Sequence, residues 1–244
     1  MRILFLENHD SFSWNVIDAL PVERSEITVV STNPPQAVGH QNQSEGSVGF
    51  SSRDLTPGLQ AELVEAFPSF QVKEPFDKLR VKLLEGQIGT KGGYSPIRPG
   101  DFDCLIIGPG PTDPIRVGLI DIVRQAAALK VPTLGICLGH QAIGLAFGAT
   151  LIRTHPVHGK RSEVTFRQSR LLPNTTGSHT VMRYHSLSLS NICTPLRVIA
   201  TTHDSIPMAI EHESLPIAGL QFHPDSYGTQ RGRAMLADFF EAIR

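Results

Sequence analysis

The protein has 244 residues, 40% of them hydrophobic and 18% charged, with a formal net charge of −1. That is chain enough for one large domain or two small ones, with neither the Lys/Arg cluster that a nucleic-acid partner demands nor an apolar run of the length a membrane helix needs. Three widely spaced cysteines (Cys104, Cys137, Cys193) make no disulfide framework, and "MRILFLEN" turns polar too early for a signal peptide, so a reducing, cytoplasmic setting is expected.

In chain order, "RILFLE" predicts a short buried strand. Asp10 and Ser11 are N-cap types, and Phe12, Val16, Ile17 and Leu20 are spaced as the apolar stripe of a helix closed by Pro21. "EITVVST" is a second strand, completing a β-α-β start to a mainly parallel sheet. Then follow "DCLIIG" as a strand, "IRVGLIDIVRQAAAL" as a helix, "PTLGI" as a strand and "HQAIGLAFG" as a helix. The second half changes character: "TLIRT", "SEVTF", "RVIATT", "PMAIEHE" and "PIAGLQFH" are short β-rich runs between turn residues, before a last helix "GRAMLADFFEAI". The expected fold is α/β, an open, mostly parallel central sheet with helices on both faces and a small antiparallel section, in one domain over residues 1–244.

Residues 34–99 interrupt this scheme. The first part, "PPQAVGHQNQSEGSVGFSSRD", is rich in Gly, Ser, Gln and Asn, and a structureless connection of that length is unusual in a compact domain. "LQAELVEAF" and "FDKLRVKLLEGQ" each have a helical reading. The segment is expected to be an insertion, partly helical and partly mobile.

The chemistry concentrates at "GICLGHQ", Gly135 to Gln141. Gly-x-Cys-x-Gly between an apolar strand and a helix has the form of a sharp strand-to-helix turn that exposes a nucleophile. An arbitrary free cysteine is usually buried and inert; here both glycines and both flanking elements favour the nucleophile. A helix N-terminus favours a thiolate, and the Leu138 N–H would face a developing oxyanion. A cysteine nucleophile needs a base held by a third group. Of ten histidines, His223 is best placed, ending the strand "IAGLQF" with Asp225 two residues on, at the carboxyl edge where open α/β sheets keep their sites. "GPGPTDP", directly after "DCLII", is either a plain turn or a backbone loop offering the Gly110 N–H as a second oxyanion donor.

Together these stretches resemble a class I (triad) glutamine amidotransferase, and more narrowly the amidotransferase component of anthranilate synthase and aminodeoxychorismate synthase, a flavodoxin-like fold. "ENHDSFSWNV" is similar to the family's N-terminal signature, "GPGP" to its oxyanion loop, "GICLGHQAIGLAFGA" to its nucleophile elbow and "ESLPIAGLQFHPDS" to its histidine motif. "VHGKRS" (157–162) and "YHSL" (184–187) resemble the motifs that narrow the choice to chorismate-using synthases. The resemblance implies Cys137 as nucleophile, His223 as base and Asp225 as orienting carboxylate. It places Gly110, Pro111, Thr112, Leu138, Gln141, Ser186 and Leu187 around the substrate, L-glutamine. No cofactor is implied. The expected partner is a chorismate-binding synthase, either another polypeptide or a further part of a longer chain, to which ammonia would pass; "VHGKRS" is the candidate contact.

Two departures stand out: aspartate at 225 where the family has glutamate, one methylene or about 1.5 Å shorter, and Thr112 where it has glycine. The first implies reduced rather than abolished glutamine hydrolysis. Two other readings are a stand-alone γ-glutamyl-type cysteine hydrolase, against which "HGK" and "YHSL" argue, and a degenerate regulatory or assembly module. His155 and His158 lack partner ligands at metal-binding spacing. Which chorismate carbon is aminated is left open, since the synthase decides it.

Overall fold

In chain order the strands are β1 (Ile3–Glu7), β2 (Ile27–Ser31), β3 (Arg80–Val81), β4 (Cys104–Ile107), β5 (Thr133–Ile136), β6 (Thr150–Phe166), β7 (Gly177–Ser190), β8 (Leu196–Thr202), β9 (Pro207–His212) and β10 (Ile217–Leu220). The helices are α1 (Ser13–Ala19), α2 (Leu119–Ala128), α3 (Leu138–Ala146) and α4 (Gly232–Ala242). The computed structural model describes residues 1–32, the backbone of 80–81, and 101–244, all within one compact unit.

One sheet holds the ten strands in the order β3-β2-β1-β4-β5-β10-β9-β8-β6-β7. From β3 to β10 every pairing is parallel; from β10 to β7 every pairing is antiparallel. β1, β4, β5 and β10 are near-continuous apolar runs because both sheet faces are covered. The path runs from β1 outward to β2, then returns to the far side of β1 for β4 and β5. With right-handed crossovers, α1 and α2 therefore fall on opposite faces. One core unites Leu4, Leu6, Leu105 and Ile107 of the sheet with Leu119, Ile122 and Val123 of α2 and Leu138, Ala142 and Ile143 of α3. Ile3 and Phe5 alternate to the other face. Between β1 and β4 the winding reverses, so the loops that follow them part at the carboxyl edge and open a crevice there.

Local differences from the sequence reading have physical causes. α1 begins at Ser13 with Phe12 as N-cap; Asp10 acts one step earlier, its Oδ1 accepting from the Phe12 N–H at 2.7 Å in an Asx turn. α2 starts at Leu119, after Gly118 at φ 69°. "TLIRT" and "SEVTF" are one strand: β6 runs unbroken against β7, with register shifts between Arg153 and Val157 and between His158 and Lys160. β6 meets β8 only over Val164–Phe166, and up to Glu163 it is largely exposed. β7 was not anticipated as a strand, because its buried positions carry His179, Arg183 and His185 among the apolar ones. The insertion lies outside the described residues except for Arg80 and Val81, which fall in the stretch read as a helix and pair in parallel with Thr28 and Val29. Among the described residues no helix is long and apolar enough to cross a membrane.

α4, the last helix, is tied down by Asp238, which accepts from the Asn174 N–H at 3.1 Å, Asn174 Nδ2 at 2.7 Å and Thr175 Oγ1 at 2.7 Å. Asp238→Ala leaves these donors without their acceptor and is expected to destabilise the fold by about 2 kcal/mol, measured as a lower urea midpoint at unchanged slope.

Candidate active site

β5 passes into α3 through a single residue. Cys137 has φ 52° and ψ −97°, a conformation costing an L residue of order 1–3 kcal/mol. The turn closes backbone on backbone. A Cβ on Gly135 would stand 2.4 Å from the Gly139 carbonyl, and one on Gly139 2.3 Å from the Ile107 carbonyl, so both positions require glycine. The first intrahelical bond runs from the Gln141 N–H to the Cys137 carbonyl at 3.1 Å. The N–H of Leu138, in the first turn, has no intrahelical acceptor and is free to bind an anion.

Three loops of the carboxyl edge meet this turn. Gly110, after β4, lies so near the side chains of Leu138 and Asn8 that a Cβ there would stand 2.5 Å from Leu138 Cδ2 and 2.7 Å from Asn8 Cβ. Asn8, after β1, is buried; its Nδ2 donates to the Gly108 carbonyl at 2.9 Å and its Oδ1 accepts from Thr32 Oγ1, after β2, at 3.1 Å. Pro111 and Thr112 continue the Gly110 loop as a bend. Thr112 lies outside the left-handed region, so its Cβ brings no backbone strain.

His223 follows β10 and is 2% exposed. Its N–H donates to the Met182 carbonyl at 3.1 Å and its carbonyl accepts from Thr229 Oγ1 at 2.6 Å. The imidazole makes edge-on contacts with Phe12 (5.3 Å between centroids) and Tyr184 (5.0 Å), which also touch each other at 4.9 Å. Its Nδ1 stands 3.6 Å from Asp225 Oδ1, and both side chains are buried. That is an ion-pair separation, longer than a hydrogen bond, as the short aspartate side chain predicts. Burial alone would disfavour the charged ring. The Asp225 carboxylate and the Cys137 sulfur outweigh it, raising the imidazole pKa from 6.5 to about 10. The other two buried histidines beside the turn behave oppositely. Burial lowers His140 to about 3 and His185 to about 4, so of these three rings His223 is the one charged at neutral pH.

Gln141, on α3, is 4% exposed. Its Nε2 donates to the Leu187 carbonyl on β7 at 3.4 Å and to Gln221 Oε1 at 3.2 Å. Ser186 precedes Leu187, half-buried. The structure thus gathers Cys137, Leu138, Gly110, Gln141, Leu187, His223 and Asp225 in one place. It also reveals participants the motif reading passed over: Asn8, Phe12, Tyr184 and Gln221, whose Nε2 lies 3.8 Å from Cys137 Sγ. Gln221 had a readable signal, since residues two apart in an extended segment share a face and it stands two before His223. Among the described residues no cluster of three His, Cys, Asp or Glu side chains has the makings of a metal site. Cys104 is buried, which pushes its thiol well above the usual range, and Cys193 is exposed.

Comparison with known proteins bears on this arrangement. The profile of the family described as glutamine amidotransferase class-I matches residues 90–243, more than half the chain. Anthranilate synthase component 2 of Mycobacterium tuberculosis is 44% identical over 57% of this chain and 62% of its own length. The aminodeoxychorismate synthase of Streptomyces pristinaespiralis is 38% identical over 60% of this chain and 21% of its own length. The chain thus spans less than two thirds of either relative. Anthranilate synthase component 2 of Helicobacter pylori is 32% identical over 97% of this chain and 94% of its own. The crystal structure of a glutamine amidotransferase from Thermotoga maritima superposes with a TM-score of 0.54 at 13% identity, covering 99% of this chain and 81% of that one.

The raised His223 pKa has a defined sign for stability. With about 10 in the folded state against 6.5 unfolded, the ring's contribution is complete below pH 6.5 and is lost as pH climbs towards 10. The thermal midpoint is therefore expected to fall across that window, and Asp225→Asn should flatten the fall. Identical pH slopes in the two proteins would contradict the electrostatic assignment.

Proposed function

This chain belongs to the class-I glutamine amidotransferase family, and from that premise we propose that it is the glutaminase half of a chorismate-aminating synthase. It hydrolyses L-glutamine to glutamate and ammonia and passes the ammonia to a chorismate-binding synthase. The observation that carries the reading is the buried Cys137–His223 pair at the head of α3, where the Asp225 carboxylate and the Cys137 sulfur keep the imidazole charged.

In the proposed mechanism Cys137 Sγ, as a thiolate whose proton rests on His223, attacks the carboxamide carbon of glutamine. The N–H groups of Leu138 and Gly110 hold the oxyanion. The His223 imidazolium gives its proton to the departing nitrogen, so the C–N bond breaks with release of ammonia and a glutamyl thioester remains. His223, now neutral, takes a proton from water as the water attacks the thioester; glutamate leaves and the thiolate returns. Gln141, Ser186 and Leu187 grip the substrate's glutamyl part, with Pro111 and Thr112 beside it. Asp225 steadies the charged ring through the ion pair, helped by the aromatic clamp of Phe12 and Tyr184.

The amination partner rests on "VHGKRS", exposed on β6, and on "YHSL", on β7, together with relatives named anthranilate synthase component 2 and aminodeoxychorismate synthase. The same motifs weigh against a stand-alone γ-glutamyl hydrolase. A cytoplasmic setting fits the buried, reduced nucleophile. One observation favours a second reading, a degenerate regulatory module: the 3.6 Å gap between His223 and Asp225.

The test is glutamate release from glutamine by the purified chain, alone and with a chorismate-binding synthase present. Release is expected, and Cys137→Ala should abolish it. Asp225→Glu should raise kcat roughly tenfold, the equivalent of about 1.4 kcal/mol from one restored charge-assisted hydrogen bond. Release that survives Cys137→Ala would refute the mechanism; a silent parent beside an active Asp225→Glu would establish the degenerate reading.

A further inference from the structure

Gln221 is fully buried, one residue beyond β10, and the reaction as written gives it no part. A buried primary amide has a donor end and an acceptor end, and its partners decide which faces where. Here the decision traces back to a main-chain carbonyl. Leu187 O can only accept, and it takes His185 Nδ1 at 2.8 Å and Gln141 Nε2 at 3.4 Å. Arg183 Nε, a pure donor, points at His185 Nε2 at 3.0 Å, so the proton of that neutral ring sits on Nδ1. With the Nε2 end of Gln141 fixed by Leu187, its donor also reaches Gln221 Oε1 at 3.2 Å. The opposite end of the Gln221 amide, Nε2, is then the one that faces Cys137 Sγ at 3.8 Å. Turning the amide over would set two donor groups against each other at the Gln141 contact and present a carbonyl oxygen to the sulfur.

We propose that Gln221 is a positioning residue for the nucleophile: its N–H, aimed through Gln141 by the Leu187 carbonyl, stabilises negative charge on Cys137 Sγ and holds the sulfur in place. The inference rests on the glutaminase reading for its purpose, though not for its geometry. A hydrogen bond donated to a group strengthens when that group becomes an anion, so the effect falls on the reactive thiolate. It complements His223, which acts on the same sulfur from its own side. Gln141 thereby serves twice, gripping the substrate and orienting the amide that serves the nucleophile.

The test is the rate of Cys137 alkylation by iodoacetamide as a function of pH, followed at the peptide level by mass spectrometry so that exposed Cys193 is read separately. Gln221→Met keeps the length and removes the donor; Gln221→Glu keeps the shape and puts an anion against the sulfur. Both profiles are expected to move to higher pH, by about one unit for Gln221→Met, a tenfold slower reaction at neutral pH, and further for Gln221→Glu. A packing role alone would leave the profile of the conservative Gln221→Met in place, and a profile equal to the parent's overturns the proposal. Should Gln221→Glu not fold, Gln221→Met decides. Glutamate release by the parent, measured in parallel, separates the two ideas. Shifted profiles in a chain that releases no glutamate refute the glutaminase reading alone, and unshifted profiles in a chain that does release it refute the role of Gln221 alone.

Discussion

The backbone at Cys137 is held left-handed by its surroundings, and most of the candidate site follows from that constraint. β5 and α3 can fold back on each other only because Gly135 and Gly139 leave room for backbone against backbone, with the Ile107 carbonyl of β4 closing the third side. The turn thus fixes the head of α3 relative to two strands of the sheet. Once that head is fixed, the Leu138 N–H, Gln141 and the sulfur have set positions, and the loops after β1 and β4 need only reach the same edge. Asn8 brings them there, bonding the chain after β4 and the chain after β2 with one side chain.

His223 shows how two weak restraints replace one strong one. The carboxylate that should anchor the ring is a methylene short and stands 3.6 Å away. Orientation is therefore shared with Phe12 and Tyr184, whose rings meet the imidazole edge-on, and with the backbone bonds to Met182 and Thr229. Charge and orientation are thereby separated. The buried carboxylate and the sulfur keep the ring protonated at a distance, because Coulomb attraction fades slowly in a low-dielectric site. The aromatic contacts set the plane of the ring, as short-range packing does.

What the sequence disclosed depended on how local each signal was. Cys137, with both glycines and its flanking elements, is written within seven residues and was readable directly. His223 and Gly110 were readable as strand ends at one sheet edge. β7 was not, because its interior faces are filled by Arg183 and His185, whose role is to hydrogen-bond and not to alternate with polar positions. β6 looked like two strands because "HPVHGKRS" has no apolar alternation, and only pairing with β7 carries the strand through it. Gln221 escaped because its meaning lies in partners some 80 residues away, Gln141 and Cys137. Asp10 looked like the helix cap but forms an Asx turn ahead of it, accepting from the N–H of Phe12, which is the N-cap. Residues 34–99, read as an insertion, lie outside the described residues except for Arg80 and Val81.

The length of β6 has a consequence for handling the protein. Up to Glu163 this strand pairs on one side with β7, and β8 takes up the other side only from Val164. Among the described residues no strand pairs with its remaining margin, the kind of edge on which a second chain can add a strand and begin an aggregate. Arg153, Lys160, Arg161 and Glu163, with two register shifts that bend the margin, keep neighbours off. The "VHGKRS" stretch proposed to meet the synthase lies on that same margin. Charge reversal or neutralisation there to probe docking would therefore also remove the guard against self-association, and light scattering should accompany any binding measurement on such variants.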